Sequence, residues 1–127
     1  MTSLTSKYSK LQKNQVKFKD DPKEIVYELL NGLNEKLKLS IKNIENNNYK
    51  EAKNNAKKAQ NIAFALRKSL DHENGGEISE NLDYLYGHIQ FATDKFIKND
   101  KHDSLNSALY VSNEIFDGWK GLVKKLA

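Results

Sequence analysis

The three histidines are the first residues to test for catalysis or metal binding, and they form no recognised pattern. Di-iron helical bundles use Glu-x-x-His pairs, whereas serine, leucine and asparagine stand three positions before His72, His88 and His102. Ser69 and Asp71 project from a helix in directions different from that of His72, so they make no catalytic triad. The sequence therefore predicts no metal site, no cofactor and no enzymatic activity, and we expect His88 to be a hydrogen-bonded structural histidine.

Aromatic side chains offer binding chemistry instead. If Leu85 faces the core of its predicted helix, Tyr84 and Phe91 lie together about a quarter-turn to one side. This flank either widens the core face, which periodicity alone favours, or lines a groove for an incoming amphipathic helix. Trp119 falls in the core register of the last predicted helix, where we expect it to pack against a neighbouring helix.

The length and composition describe one helical domain. The chain has 127 residues, a single proline and no cysteine, so it predicts no disulfide framework and suits a cytoplasmic protein. No stretch has the apolar length of a membrane span. The formal charge is +4, but Arg67 is the single arginine and lysines alternate with acidic residues. This mixing is typical of solvated helix faces rather than of a nucleic-acid surface.

Capping signals and breaks divide the chain into four helices. Asp21 can cap a helix, Pro22 suits the first helical position and Glu24 completes a capping box. The first helix is therefore expected over about 22–46, where three asparagines end it. The second is expected over about 49–73, because the glycines at 75–76 favour helix termination. The remaining helices are expected over about 77–98 and 102–126.

Apolar residues recur at every third or fourth position in these segments, as in helices that pack at shallow angles. The short connections force neighbouring helices to run antiparallel. The sequence thus predicts an all-α fold, an antiparallel up-down four-helix bundle over residues 21–127. The apolar stripes are Val26, Leu30, Leu33, Leu37, Ile41 and Ile44; Ala52, Ala56, Ala59, Ala63, Leu66 and Leu70; Ile78, Leu82, Leu85, Ile89, Ala92 and Phe96; and Leu105, Leu109, Ser112, Phe116, Trp119, Val123 and Leu126.

Residues 1–20 carry too few apolar side chains to fold alone. We expect this N-terminal segment to be disordered or to lie across the bundle. Tyr8, Leu11 and Val16 are isolated apolar residues within it.

Several short motifs, in order, resemble the flagellin-specific export chaperone family, FliS. They include Pro-Lys-Glu-Ile at 22–25, Leu-Leu-Asn-Gly at 29–32, Lys-Ala-Gln-Asn-Ile at 58–62 and Gly-Gly-Glu-Ile at 75–78. Leu-Tyr at 85–86, Lys-Asn-Asp at 98–100 and Trp119 follow. The resemblance implies a cytoplasmic bundle that binds the C-terminal region of flagellin in hydrophobic grooves. Binding would prevent early polymerisation until the type III export apparatus accepts the subunit. The resemblance also implies that the N-terminal segment is a displaceable lid, which covers a groove through Tyr8, Leu11 and Val16 when no client is present.

On this interpretation the candidate client-binding residues are Ile25, Leu29, Ile62, Tyr84 and Phe91. Components of the export gate and flagellar regulators are further candidate partners. Two alternatives remain at this point. One is a helical adaptor that binds another flagellar regulator or export component and no flagellin. The other is a basic bundle on nucleic acid, which would show steep salt dependence of binding.

Overall fold

The computed structural model describes residues 22–126 as four α-helices. These are α1 (Pro22–Glu45), α2 (Tyr49–Lys68), α3 (His72–Asn99) and α4 (His102–Leu126). The prediction of an all-α bundle is confirmed. The predicted lid, residues 1–20 with Tyr8, Leu11 and Val16, lies outside the described residues. None of the helices in the described range is long and apolar enough to cross a membrane.

The helices form a closed ring in which each packs against the next and α4 packs against α1. Contacts between α2 and α3 show the direction of packing: Arg67 bonds to Asp83, and Gln60 bonds to the carbonyl of Gln90. Residue numbers rise along α2 as they fall along α3, so the two helices are antiparallel. The same holds for α3 and α4, where His88 meets Ser107 and Ser104 donates to the Ala92 carbonyl oxygen.

The core combines large and small side chains. Leu33 and Leu37 of α1 and Phe96 of α3 are fully buried. The α2 seam consists of small residues, which let neighbouring backbones approach closely. It comprises Ala52, Ala56, Ala59 and Ala63, all fully buried.

A buried polar contact fixes the register of α1 against α4. Asn34 donates through Nδ2 to Oδ1 of Asn113 at 2.8 Å, and the Ser112 hydroxyl donates to the Asn34 side-chain oxygen. Sliding either helix by one turn would leave these buried groups without partners, which is costly away from water. The contact therefore favours one alignment of the bundle.

The boundary between the second and third helices differs from the prediction. The α2 helix ends at Lys68 rather than near 73, and α3 begins at His72 rather than near 77. The reason is a capping signal: the Asp71 carboxylate accepts a hydrogen bond from the Asn74 backbone N–H at 3.1 Å. The glycine pair therefore lies inside α3, where Gly76 forms a kink at φ 53° and ψ −127°.

The other two turns lie where the sequence places them. Asn47 has a φ of 60°, and Asn48 caps α2 through its side chain. At the α3–α4 turn, Asp100 adopts the left-handed conformation while its N–H donates to the Phe96 carbonyl oxygen. Lys53 forms an ion pair with Asp100 at 2.8 Å and joins this turn to α2.

Candidate functional site

An open apolar cleft lies at one end of the bundle. The antiparallel arrangement brings the start of α1, the end of α2, the start of α3 and the end of α4 together there. The cleft, hereafter the end cleft, has a volume of about 600 Å³, within the range of protein ligand sites. Its lining residues are Val26, Leu66, Ser69, Leu70, Asp71, Ile78, Leu82, Tyr86, Glu114, Ile115, Gly118 and Trp119.

The start of α3 leaves the end cleft open. Ile78, just after the Gly76 kink, is 71% exposed although it lies on the predicted core stripe. Val26, Leu70 and Leu82 around it are only half-buried. Apolar side chains that line a concave surface and remain accessible are typical of protein-interaction sites. The end cleft can therefore hold an apolar segment of another chain.

Two aromatic residues form part of the cleft wall. Tyr86 is buried, and burial raises the pKa of its phenol well above the usual range, so the ring is neutral under physiological conditions. Trp119 is half-buried, and its indole Nε1 is buried with no hydrogen-bond acceptor among the described residues. An unpaired buried donor is unfavourable, so the position of this indole at the cleft wall reduces the stability of the bundle.

A second candidate surface, hereafter the α3 face, lies on the outer side of α3. Tyr84 and Phe91 are 75% and 61% exposed. They border a notch of about 430 Å³ over Gly87, which Arg67 and His88 also line. The Arg67 guanidinium lies 3.1 Å from the position that a Cβ on Gly87 would occupy. A side chain at this position would therefore require the guanidinium to shift by a few tenths of an ångström.

Charges on the α3 face are arranged around the rings. Lys95 lies 5.1 Å from the Phe91 ring centroid, within the range of a cation–π contact. Arg67 is held by Asp83, whose Oδ1 accepts from Nε at 2.6 Å, and by Gln90 at 3.0 Å. The hydrogen bond from Arg67 lowers the pKa of Asp83. The aromatic pair thus lies beside a fixed guanidinium and a lysine that contacts the Phe91 ring.

The structure does not bring the five predicted client-binding residues together. Tyr84 and Phe91 share the α3 face, but Ile25 and Leu29 are buried in the core, at 0% and 5% exposure. Ile62 is half-buried against α1, where its Cδ1 lies 3.7 Å from the position of a Cβ on Gly32. The predicted set is therefore divided between the interior of the bundle and its outer surface.

The orientation of α3 also differs from the one assumed from the sequence. Tyr86 rather than Leu85 is fully turned inward, since Leu85 is half-buried and Tyr86 is 3% exposed. With Tyr86 facing the core, Tyr84 and Phe91 lie further toward solvent than they would with Leu85 facing the core, where each is about a quarter-turn away. Periodicity alone favoured a core role for Tyr84 and Phe91. That interpretation was wrong, because both are exposed and the inward side of α3 is formed by Tyr86, Ile89 and Phe96.

His88 and His102 have structural contacts. Nε2 of His88 lies 2.8 Å from the Ser107 hydroxyl and joins α3 to α4, which confirms the expected hydrogen-bonded role. His102 stacks on Tyr49, with ring centroids 5.7 Å apart, and meets the edge of Phe96 at the same centroid distance. These rings lie at the end of the bundle opposite the end cleft.

Sequence reasoning missed the end cleft because it counted Ile78, Leu82 and Trp119 as ordinary core positions. A stripe at helical spacing does not reveal whether its last turn has a neighbour to cover it. The one available signal was the glycine pair just before Ile78, which marks a change of direction at the start of α3.

Comparison with known proteins adds an independent finding. A family model described as flagellar protein FliS matches residues 4–126, nearly the whole chain. No curated protein matches the sequence. The match agrees with the resemblance seen in the ordered motifs, and the four helices agree with the bundle that this resemblance implies. The chain belongs to the flagellar protein FliS family, a family of flagellar export chaperones.

Proposed function

We propose that this protein binds the C-terminal region of flagellin in the cytoplasm, with an apolar segment of that client in the end cleft. Held there, flagellin would be kept from polymerising early until the type III export apparatus accepts it. The observation that supports this most is the end cleft itself, about 600 Å³ in volume and bordered by Ile78 at 71% exposure. Capture of an amphipathic helix in such a groove is a recurring mode of peptide recognition.

The α3 face supplies a second proposed client contact. Tyr84 and Phe91 are too exposed to contribute much to folding, and exposed aromatic rings are enriched among residues that dominate interface energies. Ile62 can contribute at its accessible edge. Ile25 and Leu29 are buried, so their proposed role is to support α1 beside the end cleft, and direct contact with the client would require α1 to move.

The proposed lid remains part of this account. Tyr8, Leu11 and Val16 are apolar residues in a polar segment that precedes α1, and α1 begins next to the end cleft. A segment of this chain that occupies the cleft would lower the apparent client affinity by the fraction of closed molecules. It would also shield apolar surface from aggregation before flagellin is available.

Calorimetric titration of the full-length protein with a C-terminal fragment of the cognate flagellin tests the proposal. We expect saturable binding and a gain in helicity by circular dichroism, since a disordered segment becomes helical on capture. A helical peptide of similar length and unrelated sequence is the control. If the flagellin fragment binds no better than this control, the proposed function is wrong, and an adaptor role for another flagellar protein becomes the better explanation.

A further inference from the structure

We propose that the α3 face binds an amphipathic helix that carries acidic residues beside its apolar stripe. The inference rests on the proposed function, because it specifies the chemistry of the segment that contacts this face. Two features of the surface support it. Aromatic rings recur there at the spacing of helical turns, and the end of the face at Phe91 carries lysines that have no acidic partner.

Aromatic rings lie on both sides of the α2–α3 interface. Tyr84 and Phe91 border the notch on α3. Phe64 of α2 is 50% exposed, and the residues one turn before and after it, Gln60 and Arg67, both bond to α3. Phe64 therefore lies on the side of α2 that faces α3. The three rings give this outer side of the bundle the apolar character that is typical of interaction sites.

The spacing of the two α3 rings suits an incoming helix. Tyr84 and Phe91 are seven residues apart, which is two helical turns and about 10 Å along α3. A helix packed along α3 repeats its own contact residues at the same interval, and a side chain between them can enter the notch over Gly87. The side chains of an extended segment recur on one face about every 7 Å, which does not match the two rings.

Lysines give the Phe91 end of the face a positive charge. Lys95 lies 5.1 Å from the Phe91 ring centroid. Lys57 of α2 is exposed, and its Nζ donates to Gln60, which in turn donates to the Gln90 carbonyl oxygen. Neither lysine forms an ion pair within residues 22–126. A carboxylate on an incoming helix can pair with either ammonium group, because contacts with a ring and an amide leave its charge in place.

The acidic residues near the face are paired or lie at its other end. Asp94 is 3.3 Å from Lys98, and Asp83 accepts a hydrogen bond from Arg67. The glutamates of α3 all lie at or before position 80. They are therefore at least eleven residues, or about 16 Å, before Phe91 along the helix. The two lysines at the Phe91 end thus remain without compensation.

The placement of these charges distinguishes the possible partners. A helix with lysines beside its apolar stripe would place like charges against Lys57 and Lys95. A single-stranded nucleic acid could stack bases on the rings, but its phosphates recur at every nucleotide and would also meet the acidic start of α3. A helix can place its carboxylates at the Phe91 end alone, so it fits the face better.

Calorimetric titration of the full-length protein with three helical peptides tests the inference. The peptides have about 18 residues, long enough to form a helix, and share one stripe of leucines. Beside one half of this stripe they carry glutamates, glutamines or lysines, and their other polar residues are glutamines. At low salt we expect the glutamate peptide to bind about fivefold more tightly than the glutamine peptide, and the lysine peptide to bind most weakly. The difference should shrink at about 1 M salt.

Matched variants assign the preference to the α3 face. The double variant Lys57→Gln, Lys95→Gln should lose most of the preference for the glutamate peptide. The control is Lys38→Gln, Lys42→Gln, which makes the same change in net charge at exposed positions of α1, a helix that packs against α2 and α4. This control should keep the full preference. Phe91→Ala should weaken binding of the glutamate and glutamine peptides alike, because it removes apolar contact.

Equal affinity for the three peptides, no binding of any of them, or an unchanged preference in the Lys57 and Lys95 double variant would overturn the inference. A single-stranded oligonucleotide is the fourth probe. If it binds as tightly as the glutamate peptide and depends on the same two lysines, the face is a nucleic-acid surface and the inference is also wrong.

These outcomes are separable from those of the proposed function. If the glutamate peptide binds the face as expected while the flagellin fragment does not bind, the selectivity stands and the flagellin assignment fails. If the fragment binds and the peptides show no preference, only the inference about acidic residues fails.

Discussion

Phe91 and Phe96 show how one helix can separate binding from folding. Phe96 is fully buried and packs edge-on against His102. Phe91 is 61% exposed and meets a lysine instead of a core neighbour. The two residues have the same chemistry on the same helix, so the difference in their environments decides what each contributes.

Substituting each phenylalanine by alanine should therefore give opposite results. Phe96→Ala should lower the free energy of unfolding by about 3–5 kcal/mol because it leaves a cavity in the core. Phe91→Ala, and likewise Tyr84→Ala, should lower it by less than about 1 kcal/mol and weaken binding of the flagellin fragment. Urea denaturation and calorimetry measure the two quantities. Similar losses of stability in Phe91→Ala and Phe96→Ala would show that Phe91 contributes to the core and contradict a binding role.

Trp119 gives a second prediction at this scale. Trp119→Phe removes the unpaired Nε1 donor while keeping an aromatic ring at the cleft wall. The free energy of unfolding should fall by no more than about 1 kcal/mol. Removal of the unpaired donor is favourable and offsets part of the packing contacts that the smaller ring loses. Calorimetry should show weaker binding of the flagellin fragment. A large loss of stability with unchanged affinity would make the residue purely structural.

At the scale of the helices, capping chemistry decided the boundaries. The stripes of α1 and α2 were predictable because their periodicity is regular and their buried residues, such as Leu33 and Ala59, fall on it. The α2–α3 turn was misplaced because a glycine pair is a strong termination signal in isolation. Asp71 caps α3 before the glycine pair is reached, so α3 begins earlier and Gly76 forms a kink inside the helix. The rotation of α3 could not be predicted from its own sequence, since Leu85 and Tyr86 are both plausible core residues.

The contact between α2 and α3 should make stability depend on pH. The hydrogen bond and charge of Arg67 lower the pKa of Asp83 below its ordinary value of 3.8, which applies in the unfolded chain. Because the folded pKa is the lower one, the ionised form contributes stability above about pH 4, and this contribution is lost as the pH falls through the folded pKa. Asp100 follows the same rule, since its hydrogen bond from Lys53 lowers its pKa.

Asp83→Asn tests this dependence. The urea midpoint of the variant should be lower than that of the wild type near pH 7, and the difference should shrink as the pH falls below about 4 and through the folded-state pKa of Asp83. Asp100→Asn should behave in parallel because it removes the ion pair that joins the α3–α4 turn to α2. A difference between wild type and Asp83→Asn that stays constant over this range would show that the ion pair does not contribute through its charge.

At the scale of the whole molecule, the ring of four helices was predictable and the end cleft was not. The bundle follows from four amphipathic segments and short turns. The cleft requires Val26, Leu70, Ile78 and Trp119 to meet, and these residues come from three helices and the α2–α3 turn. Their meeting depends on where α2 ends and how α3 begins. The family resemblance predicted that a groove exists, while its position came from the structure.

The proposed lid makes a prediction at this scale. Deletion of residues 1–15 should leave the bundle folded, because the four helices pack on one another around a core of their own residues. The shortened protein should bind the flagellin fragment more tightly, since no segment of the chain competes for the end cleft. Calorimetry on the full-length and shortened proteins measures the change. Unchanged or weaker affinity in the shortened protein would contradict a lid.

The central claim is that the client occupies the end cleft, and protection of a single thiol tests it most directly. The natural sequence has no cysteine, so Ile78→Cys places one reactive thiol at the border of the cleft. Leu39→Cys, on α1 and 42% exposed, is the control away from it. Saturating flagellin fragment should slow alkylation at position 78 and leave position 39 unchanged. Equal alkylation rates at position 78 with and without bound fragment would contradict the account.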